Sequence, residues 1–390
     1  VDNVPRLIRS RPARQQPQWD DTAALRRVTD DLADRPAVVN AADVRVLCGQ
    51  LAQVAAGEAH VIQAGDCAED PAECSGGSVA AKAAVLDLLA GTMRMASRRP
   101  VLRVGRIAGQ FAKPRSRDTE QVGGRELPVY RGHMVNGPEP DEDRRRPDPR
   151  RILMCYQAAR SAVNSLDWYL PAERMRIDSP VWTSHEALLL DYELPLLRRD
   201  PGGHLVLTST HWPWVGERTR QVDGAHVTLL SLVSNPVACK VGPSMTPDEL
   251  LRLCAVLDPE RRRGRLTLIA RMGADLTAER LPPLVAAVRA AGHPVIWLSD
   301  PMHGNTVTAA DGLKTRFVDT IQRELVAFQE AVRGAGGVAG GVHLETTPDE
   351  VTECVADARG IGHVGDKYTT FCDPRLTPRQ AVDVLSVWTG

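Results

Sequence analysis

Eight short apolar runs, most of them followed by a segment with helical character, leave this chain few folds to choose from. They begin at His60, Val101, Val181, His204, Val237, Leu266, Val295 and Gly341. The clearest is Val295–Leu298, whose four apolar residues read as a strand covered on both faces. Asp300-Pro301 must stop it, because proline lacks the donor a ladder needs and restricts the residue before it. Helices are expected near Val79–Ala96, Arg151–Ser165, Thr246–Leu257, Ala278–Ala291 and Thr315–Val332, with another starting at His185-Glu186. This alternation predicts an α/β fold, a (β/α)8 TIM barrel with a short N-terminal helical extension. A doubly wound open sheet is the rival, since strand count alone does not establish closure. No repeat at solenoid spacing, G-x-G-x-x-G or Walker loop is present.

At 390 residues the chain is long enough for a sizeable core, and it divides into an arm with helices over 1–55 and a catalytic barrel over 56–390. Trp19-Asp20-Asp21 is the expected start of a helix in the arm. A formal net charge of -1 gives no basic field for nucleic acid. No apolar run approaches membrane length, and V-D-N-V-P-R-L-I-R-S lacks a signal peptide's hydrophobic region, so a soluble cytoplasmic protein is expected. The eight cysteines are scattered singly, which argues against a disulfide framework and for buried apolar thiols. Residues 117–150 read as a loop whose proline-bearing charge run is solvated. Only five of the 48 basic residues are lysines, so Lys113 and Lys240, each inside a motif, stand out.

In either parallel architecture the carboxyl ends of the strands share one face, and two groups of residues fall there. Cys67, His303, Glu345 and Asp373 offer a thiolate, an imidazole and two carboxylates, a set that suits Mn, Co, Fe or Zn better than magnesium or calcium. No ligand pair sits at a helical or hairpin interval, so their convergence depends on the fold. The second group is cationic: Arg106, Lys113, Arg115, Arg218, Lys240 and Arg271. Arginine forks bind phosphate or carboxylate through charge-assisted bonds of about 1.5–3 kcal/mol each, which implies a small anionic substrate. Any one of these cations could be a surface ion pair, but Lys240 and Arg271 lie in apolar runs where an unpaired charge is expensive.

Six segments, G-D-C-A-E, R-I-A-G-Q-F-A-K-P-R-S, S-H-E-A-L-L-L-D-Y-E, G-E-R-T-R-Q-V-D-G-A-H, D-P-M-H-G-N and C-D-P-R-L, span residues 65–376. Together they closely resemble the type II DAHP synthases, which make 3-deoxy-D-arabino-heptulosonate 7-phosphate at the entry to aromatic biosynthesis. T-H-W-P-W and N-P-V-A-C-K-V-G-P look most like the short members serving phenazine or related antibiotic metabolism. The resemblance implies a metal-dependent aldol-type condensation of phosphoenolpyruvate with erythrose 4-phosphate, releasing phosphate, in a TIM barrel. It implies Cys67, His303, Glu345 and Asp373 as ligands of a divalent metal, Mn or Co favoured. Phosphoenolpyruvate would be held by Arg106, Arg218, Lys240 and Arg271 beside Glu217, and erythrose 4-phosphate by Lys113, Arg115 and Ser116. Lys240 and Glu217 are the candidates for proton transfer. A homodimer or tetramer is implied as well.

One departure stands out: Tyr130-Arg131-Gly132-His133 replaces the family's Y-R-G-D, which puts the contacts of that loop and the preferred aldehyde in question. An amino-DAHP synthase using a nitrogen-bearing aldehyde is therefore the nearest rival. A regulatory homologue partnering another enzyme, such as a chorismate mutase, is the rival of another class; it calls for a lost metal ligand, and all four are present. The short N-terminal segment leaves little room for elements that bind aromatic amino acids, so weak or no feedback inhibition is expected. Cys372, beside Asp373, is a candidate to pair with Cys67 under oxidation and expel the metal.

Overall fold

The computed structural model describes residues 3–122, 124–168 and 179–390; Val1 and Asp2 of the expected arm and Gly123 of the expected loop lie outside these. Eight strands run round a closed barrel in chain order: β1 (His60–Gly65), β2 (Val101–Arg106), β3 (Val181–Glu186), β4 (Trp212–Val215), β5 (Val237–Val241), β6 (Leu266–Ala270), β7 (Ile296–Ser299) and β8 (Val338–Glu345). Their pairings are parallel. Strands β1, β4, β5, β6 and β7 are buried at every residue, as expected of strands packed on both faces. The closed sheet decides for the barrel over the open alternative.

The chain divides into two compact units: residues 1–44, 68–79 and 107–235 form one, and residues 45–67, 80–106 and 236–390 the other. In the first unit Asp21 caps the helix Thr22–Asp34 by accepting from Ala24 N at 2.7 Å, the start that Trp19-Asp20-Asp21 announced. In the second, Thr246 caps Pro247–Leu257, whose Pro at the first turn costs no hydrogen bond. The helix Val318–Gly334 buries Ile321, Leu325, Phe328 and Val332, an apolar stripe at helical spacing.

Three expectations are corrected, all in the first unit. The fourth strand is Trp212–Val215, while Leu205–Leu207 of the expected strand pairs antiparallel with Leu197–Arg199. Pro213 made Trp212–Val215 unlike a strand, yet β4 serves β3 through carbonyls, Trp212 O accepting from Ser184 Oγ and Trp214 O from Ala187 N. His185 and Glu186 do not open a helix but end β3, and a single turn follows at Leu190–Glu193. Burial explains this: His185 is enclosed and its Nε2 lies 2.9 Å from Glu193 Oε1. Residues 117–150 carry a ribbon, Thr119–Val122 with Arg125–Pro128, and a turn of helix at Glu142–Arg145. Arg145, from the charge run expected to be solvated, is buried and donates to Glu120 Oε1 and to the carbonyls of Pro128, Pro138 and Glu139.

Candidate active site

Within the second unit the strand register brings the chemistry together. Gly65 lies level with Arg106 on β2 and with Glu345 on β8, so the last residues of β1, β2 and β8 stand side by side. Gly65 has φ +147°, and a Cβ there would stand 2.9 Å from Arg106 O, so only glycine lets the strands turn out together. Two residues on, Cys67 Sγ meets Asp373 Oδ2 at 3.3 Å. Donor atoms of Cys67, Glu345 and Asp373 all lie within 4.8 Å of one another, within reach of one ion. His303 stands beside this trio, its Nε2 3.2 Å from Glu345 Oε1. Its Nδ1 is 2.8 Å from Asp300 Oδ2, the carboxylate orientation that fixes a metal-binding imidazole.

Cations hold this centre from the inside. Arg106 is fully enclosed; it donates from Nε to Asp66 O at 3.0 Å and from Nη2 to Glu345 Oε1 at 3.0 Å. Its Nη1 lies 2.7 Å from His343 Nε2, and since a guanidinium only donates, that nitrogen accepts. His343 therefore carries its proton on Nδ1, 2.6 Å from Gln63 Oε1, and burial holds it neutral, well below the usual imidazole range. Arg316 grips the other oxygen of Glu345 at 2.8 Å. Lys240, the penultimate residue of β5, is buried and paired with Asp300 Oδ2. Burial pushes Lys240 down to about 8 against the pull of Asp300, while Asp300 sits well below the carboxylate range because His303 and Lys240 outweigh its burial. Arg271 follows β6 and donates to His303 O at 3.3 Å.

The remaining expected site residues lie in the first unit. Arg218 donates to Ser116 Oγ at 2.6 Å, so these two are neighbours although assigned to different substrates. Lys113 is buried, with its backbone N–H on Arg131 O; Arg115 donates to Glu120 Oε2 at 3.0 Å, and its own N–H meets Gln15 Oε1 at 2.8 Å. Glu217 pairs with Arg220 at 2.7 Å. Behind them, the buried Glu69 carboxylate accepts from the backbone N–H groups of Ala108, Gly109 and Gln110, shaping the loop that leads to Lys113. His133 is enclosed with its Nδ1 2.6 Å from Tyr130 OH, and burial lowers its pKa.

The class-II DAHP synthetase family model matches residues 3–178 and 171–387. The chain belongs to this family. A probable phospho-2-dehydro-3-deoxyheptonate aldolase of Pseudomonas fluorescens is 58% identical over 377 residues, which cover 96% of this chain and 94% of the relative. The phospho-2-dehydro-3-deoxyheptonate aldolase of Streptomyces coelicolor is 40% identical over 96% of this chain and 94% of its own length. In fold, the chain resembles the phospho-2-dehydro-3-deoxyheptonate aldolase structure from Francisella tularensis, with TM-score 0.51, 12% identity, and coverage of 99% of this chain and 97% of that one.

As a member of the class-II DAHP synthetase family the chain is an enzyme of C–C bond formation, and the sulfur and carboxylates it brings together can hold a divalent metal ion. The residues that hold this donor set are less legible in the sequence. Asp300 was legible only as a strand stop, although it lies between Lys240 and His303. Arg316 and His343 carried no signal, because their partners are far away in sequence, and Arg375 was legible only as part of C-D-P-R-L. Arg375 donates to Asp66 Oδ1 at 2.8 Å and to both oxygens of Glu353, tying the Asp373 loop to the turn before Cys67. No helix among the described residues is long and apolar enough to cross a membrane.

Proposed function

We propose that this chain condenses phosphoenolpyruvate with erythrose 4-phosphate to 3-deoxy-D-arabino-heptulosonate 7-phosphate and inorganic phosphate, with a divalent metal held by Cys67, His303, Glu345 and Asp373. The observation that carries this reading is the meeting of Cys67, Glu345 and Asp373 beside three cations at the carboxyl ends of barrel strands. Bound there, Mn or Co would supply Lewis-acid polarisation of an aldehyde oxygen. Lys240, Arg106 and Arg271 neutralise the carboxylate and phosphate of phosphoenolpyruvate. Lys113, Arg115 and Ser116 take the phosphate of the aldose, an assignment supported by the buried Lys113. Lys240 Nζ, held near neutral range by burial, can keep or release a proton as charge moves from C3 of phosphoenolpyruvate to the leaving phosphate. Glu217 is the second proton candidate.

The bond between Tyr130 and His133 supports erythrose 4-phosphate over an amino analogue, because the substituted side chain is engaged by protein groups, Tyr130 and the Glu69 backbone. A service in phenazine or related secondary metabolism, a cytoplasmic location, and a homo-oligomer in which the first 55 residues extend the barrel belong to the same proposal. Phosphate release from the two substrates tests it, measured before and after chelation and with Mn, Co or Zn restored. Activity that chelator abolishes and metal restores is the expected outcome; no turnover with any metal overturns it.

A further inference from the structure

Two loops of the second unit carry Arg271, after β6, and His303, after β7, and both converge on one buried carboxylate from outside the barrel. Glu324, on the helix Val318–Gly334, accepts from Met272 N at 3.2 Å and Gly273 N at 3.0 Å, and from Asn305 Nδ2 at 2.5 Å. Asn305 completes the knot: its Oδ1 accepts from Ala274 N at 3.0 Å and its Nδ2 also reaches Pro301 O at 2.8 Å. The loops touch directly as well, since a Cβ on Gly304 would stand 2.4 Å from Gly273 N. Arg271 and His303 are each one or two residues from a member of this knot, and Arg271 Nη2 donates to His303 O at 3.3 Å.

From this geometry we infer that Glu324 is a positioning residue which locks the β6 and β7 loops in one register, so that anion binding at Arg271 and metal binding at His303 rise and fall together. The inference rests on the roles proposed above for those two residues. Each neighbour that touches the carboxylate is a donor, so an ionised Glu324 satisfies all of them and an amide or a protonated acid cannot. An ordinary core contact would not choose a carboxylate here: burial pushes Glu324 up to about 7, a standing cost that leucine or glutamine would avoid. The helix, whose apolar stripe is buried, is the frame against which both loops are held.

The test is Glu324→Gln in the full chain, with Asn305→Ala as the second variant, which cuts the same knot from a loop instead of the helix. Calorimetric titrations with Mn and with phosphoenolpyruvate, and amide hydrogen exchange at Met272, Gly273 and Ala274, read the outcome without turnover. Expected are losses of about tenfold or more in both affinities, the range seen when a residue supporting a metal ligand is removed, with faster exchange at the three amides. The KM for the aldose phosphate stays within about twofold, which general unfolding would not allow. Unchanged exchange, or loss of one affinity without the other in the folded variants, overturns the inference. If wild type neither binds phosphoenolpyruvate nor releases phosphate, the functional reading fails instead, while exchange and metal titration still report on the lock.

Discussion

Lys240 and Asp300 show how much of this chemistry rests on single side chains. The two are buried together, and each would be costly alone. Asp300→Asn leaves the ammonium without its counter-charge, so a loss of about 3–5 kcal/mol is expected in denaturant unfolding, together with weaker metal binding because His303 loses its orienting partner. Lys240→Met removes a cation from the proposed phosphoenolpyruvate site, and kcat/KM should fall by about 10²-fold or more. The pH dependence has a definite sign. The folded value of Lys240, about 8, lies below the ordinary lysine value of 10.5, so between those limits the native chain binds fewer protons than the unfolded one. Stability linked to this group therefore grows as pH rises through that window, while its charge, and with it phosphoenolpyruvate affinity, is lost. Steady-state KM for phosphoenolpyruvate, followed upward from neutral pH, should rise beyond about 8; a flat profile through pH 10 would exclude Lys240 from anion binding.

At the scale of the elements, Gly304 makes the sharpest case. Its missing Cβ is what lets D-P-M-H-G-N lie on the β6 loop, and the obstacle at 2.4 Å is backbone, which cannot rotate away. Gly304→Ala should cost about 1–3 kcal/mol in unfolding free energy and displace His303, read as reduced affinity in a metal titration. This segment was legible in the sequence because an apolar run, a proline stop and a glycine leave a strand-to-loop turn no other form. Strand β4 was not, because Pro213 argues against a ladder and the four residues of β4 are too few to show a pattern. L-V-L at 205–207 has the stronger strand signal, and it was satisfied by a local antiparallel partner instead. The cysteines were read as mostly buried thiols, and all but Cys48 and Cys372 of the eight are buried.

For the whole molecule, the proposed metal donors of the second unit were legible as residues but not as a site, because residues 67, 303, 345 and 373 have no short spacing and only barrel register relates them. What the sequence could not show at all is that protein cations grip the carboxylates of this set. Glu345 is gripped by Arg106 and Arg316, and Asp373 Oδ1 by Lys314 at 2.9 Å, so the carboxylates do not depend on metal to offset their repulsion. A site assembled this way differs from one that folds only around its ion. Chelator should therefore leave a folded chain, with the far-UV spectrum retained and a melting temperature lower by several degrees. Mn at a hundredfold excess over Kd should restore about 2.7 kcal/mol through native-state binding. Because Arg218 and Ser116 belong to the first unit, Arg218→Ala should keep that metal-linked rise in melting temperature while impairing catalysis. Asp373→Asn should lose the rise and keep the fold. Were chelation to unfold the wild-type chain, the cations would not be the framework of the site, and the metal itself would be.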